Sequence, residues 1–540
     1  MQTISREAKV SDSFHETLES ISDSALIGAR GNSGIIFAQF VNGLRKASVN
    51  KDEVSIDEFT QMALDSVSHV YAALSNPVEG TMLSVIKDWA DGLKHILLKV
   101  KSIKDYFKQA SKKAELSLER TKEQLAVLKK NNVVDSGALG FVLFLEGVNA
   151  YFNDETIEEV DYEELELEVS HDFDEDITYR YCTEGLVEYK DLTEDVVKEA
   201  LKPYGDSLVV VMGSHMFRVH IHTNQPEVVF QELRRFGKII TQKVDDMIQD
   251  IAFKKSKRDT VIVTDSIADI DKSYLQEHDV AMIPLNITVD DVTYFDKVTI
   301  NNEILFSMIE AGLEYPTTST PTIKYINDLF SKLLLHYKHV IMILVAGELS
   351  ATFRAIKTEA DKLIEKGKDI YVIDSYNNSV SQGLLVKKAV DMLEDGKKAK
   401  EIVDAIEAMK HKTEILVCLE TFKYATMSGR LPKAVGNIGM FFKIRPIMTL
   451  GDKGKGSAFG FALSQKGITK KIVKYVEKDL EKHEIEDYAL IHCLNPELLA
   501  EYRQIFTELI GKPPLYESVV SSATAIHSGK GSVAIGYIRK

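Results

Sequence analysis

The sequence predicts a multidomain chain: an all-α helical bundle, a small α+β middle module and a C-terminal α/β domain. Three observations carry this. The chain is 540 residues long, beyond the ~250–300 residues at which single cores stop growing. Its apolar spacing is helical up to about residue 152, turns to short strands and helices over 177–250, and becomes repeated strand–helix units over 258–540. Between the first two lies a dense acidic run, DETIEEVDYEELELEVSHDFDED, which makes 153–176 a solvated linker.

In the first part, amphipathic helices are read in DEFTQMALDSVSHVYAAL, TMLSVIKDWADGLKHILLKV, AELSLERTKEQLAVLKK and ALGFVLFLEGVNAYF. Their spacing fits an antiparallel bundle. The glycine-bearing stretches between helices are GARGNSG (Gly28 to Gly34), NPVEGT (Asn76 to Thr81) and VVDSGALG (Val133 to Gly140). Glycine permits positive φ and close backbone approach, and helix starts offer free N–H groups, so these corners admit a shared anion or nucleotide site. They also admit ordinary helix caps and turns.

The middle part contains a strand in ITYRYCTEGLVEY, a helix in LTEDVVKEALKPYG, a hairpin in SLVVVMGSHMFRVHIHT turning at Gly213 and Ser214, and a helix in PEVVFQELRRFG. His220 and His222 are two apart on a strand and leave one face. If the strand of Cys182 lies alongside, a thiolate and two imidazoles converge, a zinc-type ligand set. Otherwise they are half-buried histidines, and His215 at the turn is solvated.

From residue 258 strands alternate with helices, as in DTVIVTDS, HVIMILVAG followed by LSATFRAIKTEADKLIEKG, and DIYVIDS followed by SVSQGLLVKKAVDMLEDG. EILVCLE, FKIRPIMTL and YALIHCL continue the strand pattern. Ligands of such folds sit beyond the carboxyl ends of strands. Hydroxyl-rich turns lie there: Asp265–Ser266, Thr317–Thr322, Leu349–Thr352 and Asp374–Ser379, joined by Ser428–Arg430 and His527–Ser532. Hydroxyls, helix N–H groups and one histidine suit a carboxylate or phosphate. The serines at helix starts also serve as plain N-caps.

Composition narrows the function. A net charge of −16 without a basic stripe argues against nucleic-acid binding. Apolar runs fall short of the ~18 residues of a spanning helix. Three widely spaced cysteines, Cys182, Cys418 and Cys493, exclude a disulfide framework and predict a cytoplasmic, reducing setting.

Taken in order, these motifs resemble known families. GARGNSG, NPVEGT and VDSGALG, over residues 12 to 150, resemble the helical domain of the dihydroxyacetone kinase L-subunit, in the form found in the bacterial fatty acid kinase FakA. YCTEGLVEY and VHIHTN resemble the middle domain of the same FakA family. VTDSIADI, TSTPT, LSAT, GR, IRPIM and HSGKG, over residues 258 to 540, resemble the DegV family of fatty-acid-binding proteins.

The resemblance implies roles. ATP or ADP would meet Gly31, Asn32, Ser33, Gly34, Gly80, Thr81, Met82, Asp135 and Gly137. Zinc would meet Cys182, His220 and His222, the histidines alternatively serving chemistry. A fatty acid carboxylate would meet Thr318, Ser350 and His527, with Ser319 beside them and Arg430 near the reacting head group. Departures occur: the third domain has AGELSAT, with Ala346, Gly347 and Ala351, and Lys530 stands where the family has proline.

The implied reaction is transfer of the γ-phosphoryl of ATP to a fatty acid carboxylate, giving an acyl phosphate for lipid synthesis, kinase and carrier sharing one chain. A tether raises local concentration to about the millimolar range. A homo-oligomer through the kinase part is implied, with membranes reached only through lipid enzymes. The kinase family holds Mg²⁺ with an Asp-Gly-Asp-Thr-Gly motif ahead of the glycine loop. Here only Asp12 and Asp23 precede Gly28, so a truncated start or a degenerate kinase is expected, inactive as it stands. The alternatives are a fatty-acid carrier with an inactive kinase domain, and a kinase of dihydroxyacetone-type small molecules.

Overall fold

A computed structural model describes residues 1–74, 77–100, 102–153, 177–430, 433–442 and 444–540. The acidic linker from 154 to 176 and Asn76 lie outside the described residues. The chain forms two compact units, Met1–Met247 and Ile248–Lys540.

The first unit begins with helices α1 (Gln2–Glu7), α2 (Phe14–Gly28), α3 (Gly31–Ala47) and α4 (Ile56–Ala73). It continues with α5 (Met82–Ile96), α6 (Ile103–Gln124), α7 (Ala126–Asn131) and α8 (Ser136–Phe152). Polar caps fix several starts. Ser55 and Glu58 form a reciprocal capping box on α4, and Thr81, Ser102 and Asp135 accept backbone N–H groups at the starts of α5, α6 and α8. The apolar stripes meet around Trp89, whose ring is edge-on to Phe40 and Phe141 at centroid distances of 6.0 and 5.8 Å. Edge-to-face packing is a favoured aromatic geometry.

One predicted helix is broken. The periodicity of AELSLERTKEQLAVLKK runs on, but Leu125 is extended (φ −109, ψ 130) and separates α6 from α7. Gly80 lies against this break. A Cβ there would stand 2.7 Å from Gln124 Cβ and 3.1 Å from Leu125 Cγ, so the close approach needs glycine, as does its φ of +86.

The same unit holds an antiparallel sheet of order β2-β3-β1-β4, formed by β1 (Tyr181–Glu188), β2 (Gly205–Met212), β3 (Met216–Thr223) and β4 (Lys238–Asp246). Two helices, α9 (Glu194–Leu201) and α10 (Pro226–Phe236), complete the α+β module. Alternation along the strands assigns the faces. Gly185 meets Leu233 and Phe230 of α10. Leu186, Val209 and Val211, on the opposite face, pack with Leu26, Ile35 and Ala38 of α2 and α3.

Among the described residues the second unit contains three sheets. β5 (Thr260–Asp265), β6 (Ala281–Ile283), β10 (His339–Leu344) and β11 (Asp369–Asp374) form a parallel sheet of order β11-β10-β5-β6. The buried runs of β5 and β10 match a sheet covered on both faces. β7 (Asn286–Val289), β8 (Val292–Phe295) and β9 (Thr317–Ser319) form an antiparallel sheet of order β8-β7-β9.

The third sheet has the order β14-β13-β12-β17-β15-β16. Its members are β12 (Thr413–Cys418), β13 (Arg445–Leu450), β14 (Gly456–Ala462), β15 (Ile485–His492), β16 (Tyr516–Val519) and β17 (Val533–Arg539). Only its β15–β16 pairing is parallel. The strand–helix alternation in sequence does not distinguish it from the parallel sheet, because helices separate most of its strands as well. Its strand β17, between β12 and β15, is the last strand in sequence.

Candidate functional site

Three helix starts meet in the first unit. Asp135, the N-cap of α8, accepts the N–H groups of Met82 at 3.0 Å and Ala138 at 2.7 Å through one oxygen, tying the start of α5 to that of α8. A Cβ on Gly137 would stand 2.2 Å from Ser33 Oγ, so α8 also abuts the start of α3. Gly31 takes φ +62 and Gly80 φ +86, the left-handed region that glycine occupies readily. Gly80 donates its N–H to Ser84 Oγ at 2.8 Å, while Thr81 Oγ1 donates to the Val78 carbonyl at 2.8 Å and caps Leu83 N–H.

The fold therefore gathers Gly31, Ser33, Gly80, Thr81, Met82, Asp135 and Gly137 at one corner. Asn32 is exposed there, and Gly34 lies within α3 against Ala29. Adjacent helix starts present N–H donors and partial positive charge, which suit phosphate oxygens. A magnesium ion fits this corner poorly. Asp135 is committed to two backbone N–H groups and Glu79 to Ser84 and Tyr71, while Asp23 lies away at the hairpin turn on Ser214 N–H.

A second constellation lies on the sheet of the same unit. Register places Cys182 opposite His222 and Glu184 opposite His220 on one face. The ligand atoms of Cys182, His220 and His222 lie within 4.8 Å of one another, and among the described residues this is the group able to hold a metal ion with three such ligands. Cys182 Sγ is 3.8 Å from His220 Nδ1. His220 is buried, and its Nε2 has no hydrogen-bond partner. A buried imidazole with Nε2 orphaned, Nδ1 beside a thiol and a second imidazole close by fits zinc, three protein ligands leaving a fourth position open.

Burial, then the neighbouring His220, holds the His222 pKa below its ordinary value, against Asp206, favouring the neutral ligand form. His215 sits exposed at the hairpin turn.

Sequence reading missed Glu184 and Arg218. Both are buried, yet both stand in the alternation that carries Cys182 and the histidines, two residues from Cys182 and from His220. That spacing is the signal that finds them. Burial pushes the Glu184 carboxyl up, but facing His220, nearby Lys243 and the Gly31 N–H outweigh it and hold the pKa at about 2.

In the second unit a cavity of about 360 Å³ opens beyond the carboxyl ends of β5 and β10. Ile267, Leu285, Val345, Val417 and Met448 make apolar walls, and Thr318, Ser350, His527 and Arg430 line the same space. Thr318 comes from β9, Ser350 from the turn after β10, and His527 from the helix Ser522–Ser528. Ser350 Oγ donates to Thr352 Oγ1 at 2.9 Å and accepts Thr352 N–H at 3.2 Å. Arg430 is exposed and donates to the Leu349 carbonyl at 3.2 Å.

His527 Nδ1 is buried without a hydrogen-bond partner. Burial, then the Arg430 charge, pushes its pKa down to about 4, so the ring is neutral at pH 7. Asn378, in the DSYNNS turn, is a lining residue not singled out from sequence, and its Oδ1 is also buried and unpartnered.

Ser319 is a correction. It is exposed and does not line the cavity, because successive strand residues leave opposite faces and Thr318 already points in. Lys530 is likewise off the cavity, paired with Glu310 at 3.1 Å.

Comparison with known proteins follows the same divisions. Residues 1–150 match the DAK2 domain, 178–252 the FakA-like middle domain of fatty acid kinases, and 259–540 the DegV family of uncharacterised proteins. An uncharacterized protein of Staphylococcus epidermidis is 33% identical over 291 residues, covering 49% of this chain and 52% of the relative. One of Staphylococcus haemolyticus is 35% identical over 254 residues, covering 45% and 46%. The chain thus spans about half the length of the curated relatives it matches.

Among solved structures, the fatty-acid-binding DegV family protein of Thermus thermophilus aligns with 22% identity and TM-score 0.48, covering 52% of this chain and 99% of that one. DegV of Bacillus subtilis, a fatty acid binding protein, aligns with 24% identity and TM-score 0.47, covering 53% and 100%. No helix among the described residues is long and apolar enough to cross a membrane. With 259–540 matched, just over half its length, the chain belongs to the DegV family, joined here to a DAK2 domain and a FakA-like middle domain.

Proposed function

We propose that the chain is a fatty acid kinase component with a fused carrier: the second unit binds a long-chain fatty acid, and the first binds ATP and zinc and phosphorylates the carboxylate to an acyl phosphate. One observation carries the reading of the second unit. A cavity with apolar walls is also lined by two hydroxyls, a guanidinium and a buried histidine with an unpartnered ring nitrogen. A buried polar group without a partner is costly, and a carboxylate oxygen supplies the missing one.

The acyl chain would lie against Ile267, Val417 and Met448. Thr318 would donate its hydroxyl hydrogen to the carboxylate, Ser350 would do so by turning its own away from Thr352 Oγ1, and the His527 ring would donate an N–H. Arg430 would offset charge building up on a phosphoryl group in transfer. In the first unit the starts of α3, α5 and α8 would hold phosphates through backbone N–H groups. Zinc on Cys182, His220 and His222 would supply a structural anchor or a Lewis acid at that face. No step is routed through magnesium, since the described residues do not fit it.

That misfit favours a second reading, in which this chain is a fatty-acid carrier whose nucleotide corner does not turn over. Both are separated by incubating the chain with ATP, magnesium and a long-chain fatty acid and trapping acyl phosphate with hydroxylamine. Acyl hydroxamate formed in step with ADP supports the kinase; a co-purified acyl chain with no hydroxamate leaves the carrier. An empty cavity, with no fatty acid bound at all, contradicts both.

A further inference from the structure

The first unit holds a buried ion pair that neither the helix-start corner nor the metal ligands account for. Glu184 and Arg218 are 1% and 2% exposed, with Arg218 Nη1 3.6 Å from Glu184 Oε2. Isolated buried charges are expensive and persist where each has polar partners. The partners here lie at the glycine loop. Glu184 Oε1 accepts the N–H of Gly31 at 2.8 Å. Arg218 donates to the carbonyls of Leu26 at 2.7 Å and Ile27 at 2.9 Å, in the last turn of α2.

The same carboxylate also belongs to the metal face. Its Oε1 lies 3.9 Å from His220 Nδ1, and Glu184 is directly opposite His220 in the β1–β3 register. Its Oε2, buried, makes no hydrogen bond. One oxygen is therefore shared between a histidine that can ligate metal and the first N–H of the loop. Histidines on metals characteristically present their second ring nitrogen to a carboxylate, which orients them and tunes the site.

We propose that Glu184 is a positioning residue that couples the Cys182–His220–His222 metal site to the Gly31 loop. This rests on the zinc-binding part of the proposed function. With metal on the site, the His220 ring becomes a stronger donor and a more positive neighbour, so Oε1 is drawn toward it. The Gly31 N–H loses its acceptor and is released for an anion in the corner. Linkage is reciprocal: an anion that takes the Gly31 N–H leaves Glu184 to His220 and tightens metal binding by the same factor. Arg218, which holds the α2 end of the loop, keeps the hinge of this exchange fixed.

The test needs neither nucleotide nor fatty acid. Residue-resolved hydrogen exchange is measured on the full chain, zinc-free and with one equivalent of Zn²⁺, with bound zinc counted by native mass spectrometry. In the wild type, zinc accelerates exchange of the Gly31 amide by about 10-fold, the loss of most of a charge-assisted hydrogen bond. Glu184→Gln, which keeps the shape and an acceptor but not the charge, still binds one zinc, and its Gly31 exchange changes less than about 2-fold.

A wild type that binds one zinc with unchanged Gly31 exchange overturns the coupling. So does a Glu184→Gln chain that responds as the wild type does. Zero bound zinc overturns the metal site together with the coupling, and the stoichiometry tells that outcome apart. The wild-type comparison stands alone if the variant fails to fold.

Discussion

Two of the candidate sites of this chain, the helix-start corner and the cavity, differ in how their polar groups are satisfied. In the corner where the helix starts meet, most polar groups already have partners: Asp135 serves two N–H groups, Thr81 its own turn, and Glu184 the Gly31 N–H. In the cavity of the second unit, His527 Nδ1 and Asn378 Oδ1 are buried with none. The corner is held in shape by its own bonds and has to exchange one to admit an anion. The cavity keeps two buried polar atoms without partners, and the His527 nitrogen is the one a carboxylate would satisfy under the proposed function. Apolar walls with a few polar groups among them are what a long amphiphile needs.

The sharpest ways to break this contrast begin with the metal face. Replacing His220 by Ala removes a ligand from a three-ligand set and is expected to weaken zinc binding by at least ~100-fold in a competitive chelator titration. A variant that still holds zinc at wild-type strength places the metal elsewhere.

Next in size is the polar lining of the cavity. His527→Ala is expected to cost roughly 10–100-fold in fatty acid affinity, the range of a hydrogen bond to a charged group, with Ser350→Ala costing less. Calorimetry against the same acyl chain reads both, and equal affinity for all three proteins would refute the assignment.

The pH dependence follows from the His527 ring, near a pKa of about 4 in the free chain. A bound carboxylate favours its protonated form, so the complex takes up a proton that the free chain does not. Affinity then rises as pH falls from 7 toward 5, by up to ~10-fold per unit. His527→Gln flattens this to the titration of the fatty acid itself. The ligand-free chain behaves oppositely: its stability declines as pH drops below the ordinary histidine pKa, because the unfolded ring takes a proton that the buried one refuses.

In the corner, Gly137→Ala forces a methyl into Ser33 and is expected to lower stability by roughly 1–3 kcal/mol, seen as a lower Tm. Adding Ser33→Ala restores part of it, and no recovery would mean that the helix starts do not meet there. Smallest of all is Ser319→Ala, which leaves stability within about 0.5 kcal/mol because its side chain faces away from the cavity.

Much of this was legible in the chain. The two-residue spacing of His220 and His222 is enough to put them on one face, and DSG and GARGNSG announce helix starts. The separation of Thr318 from Ser319 was also readable, since neighbours on a strand diverge. The Glu184 bond to Gly31 was not, because it spans 153 positions and exists only once the sheet packs on α2 and α3. The break at Leu125 was hidden for a similar reason: local periodicity favours one helix, and the approach of Gly80 overrides it.

The most direct measurement compares a long-chain fatty acid with the alcohol of the same chain length, by calorimetry on the wild-type protein at pH 7. Both bury the same apolar surface, and only the acid brings a charged acceptor to Thr318, Ser350 and His527. The acid is expected to bind at least ~10-fold more tightly. Equal affinities would contradict this, leaving the cavity an apolar slot without a carboxylate site.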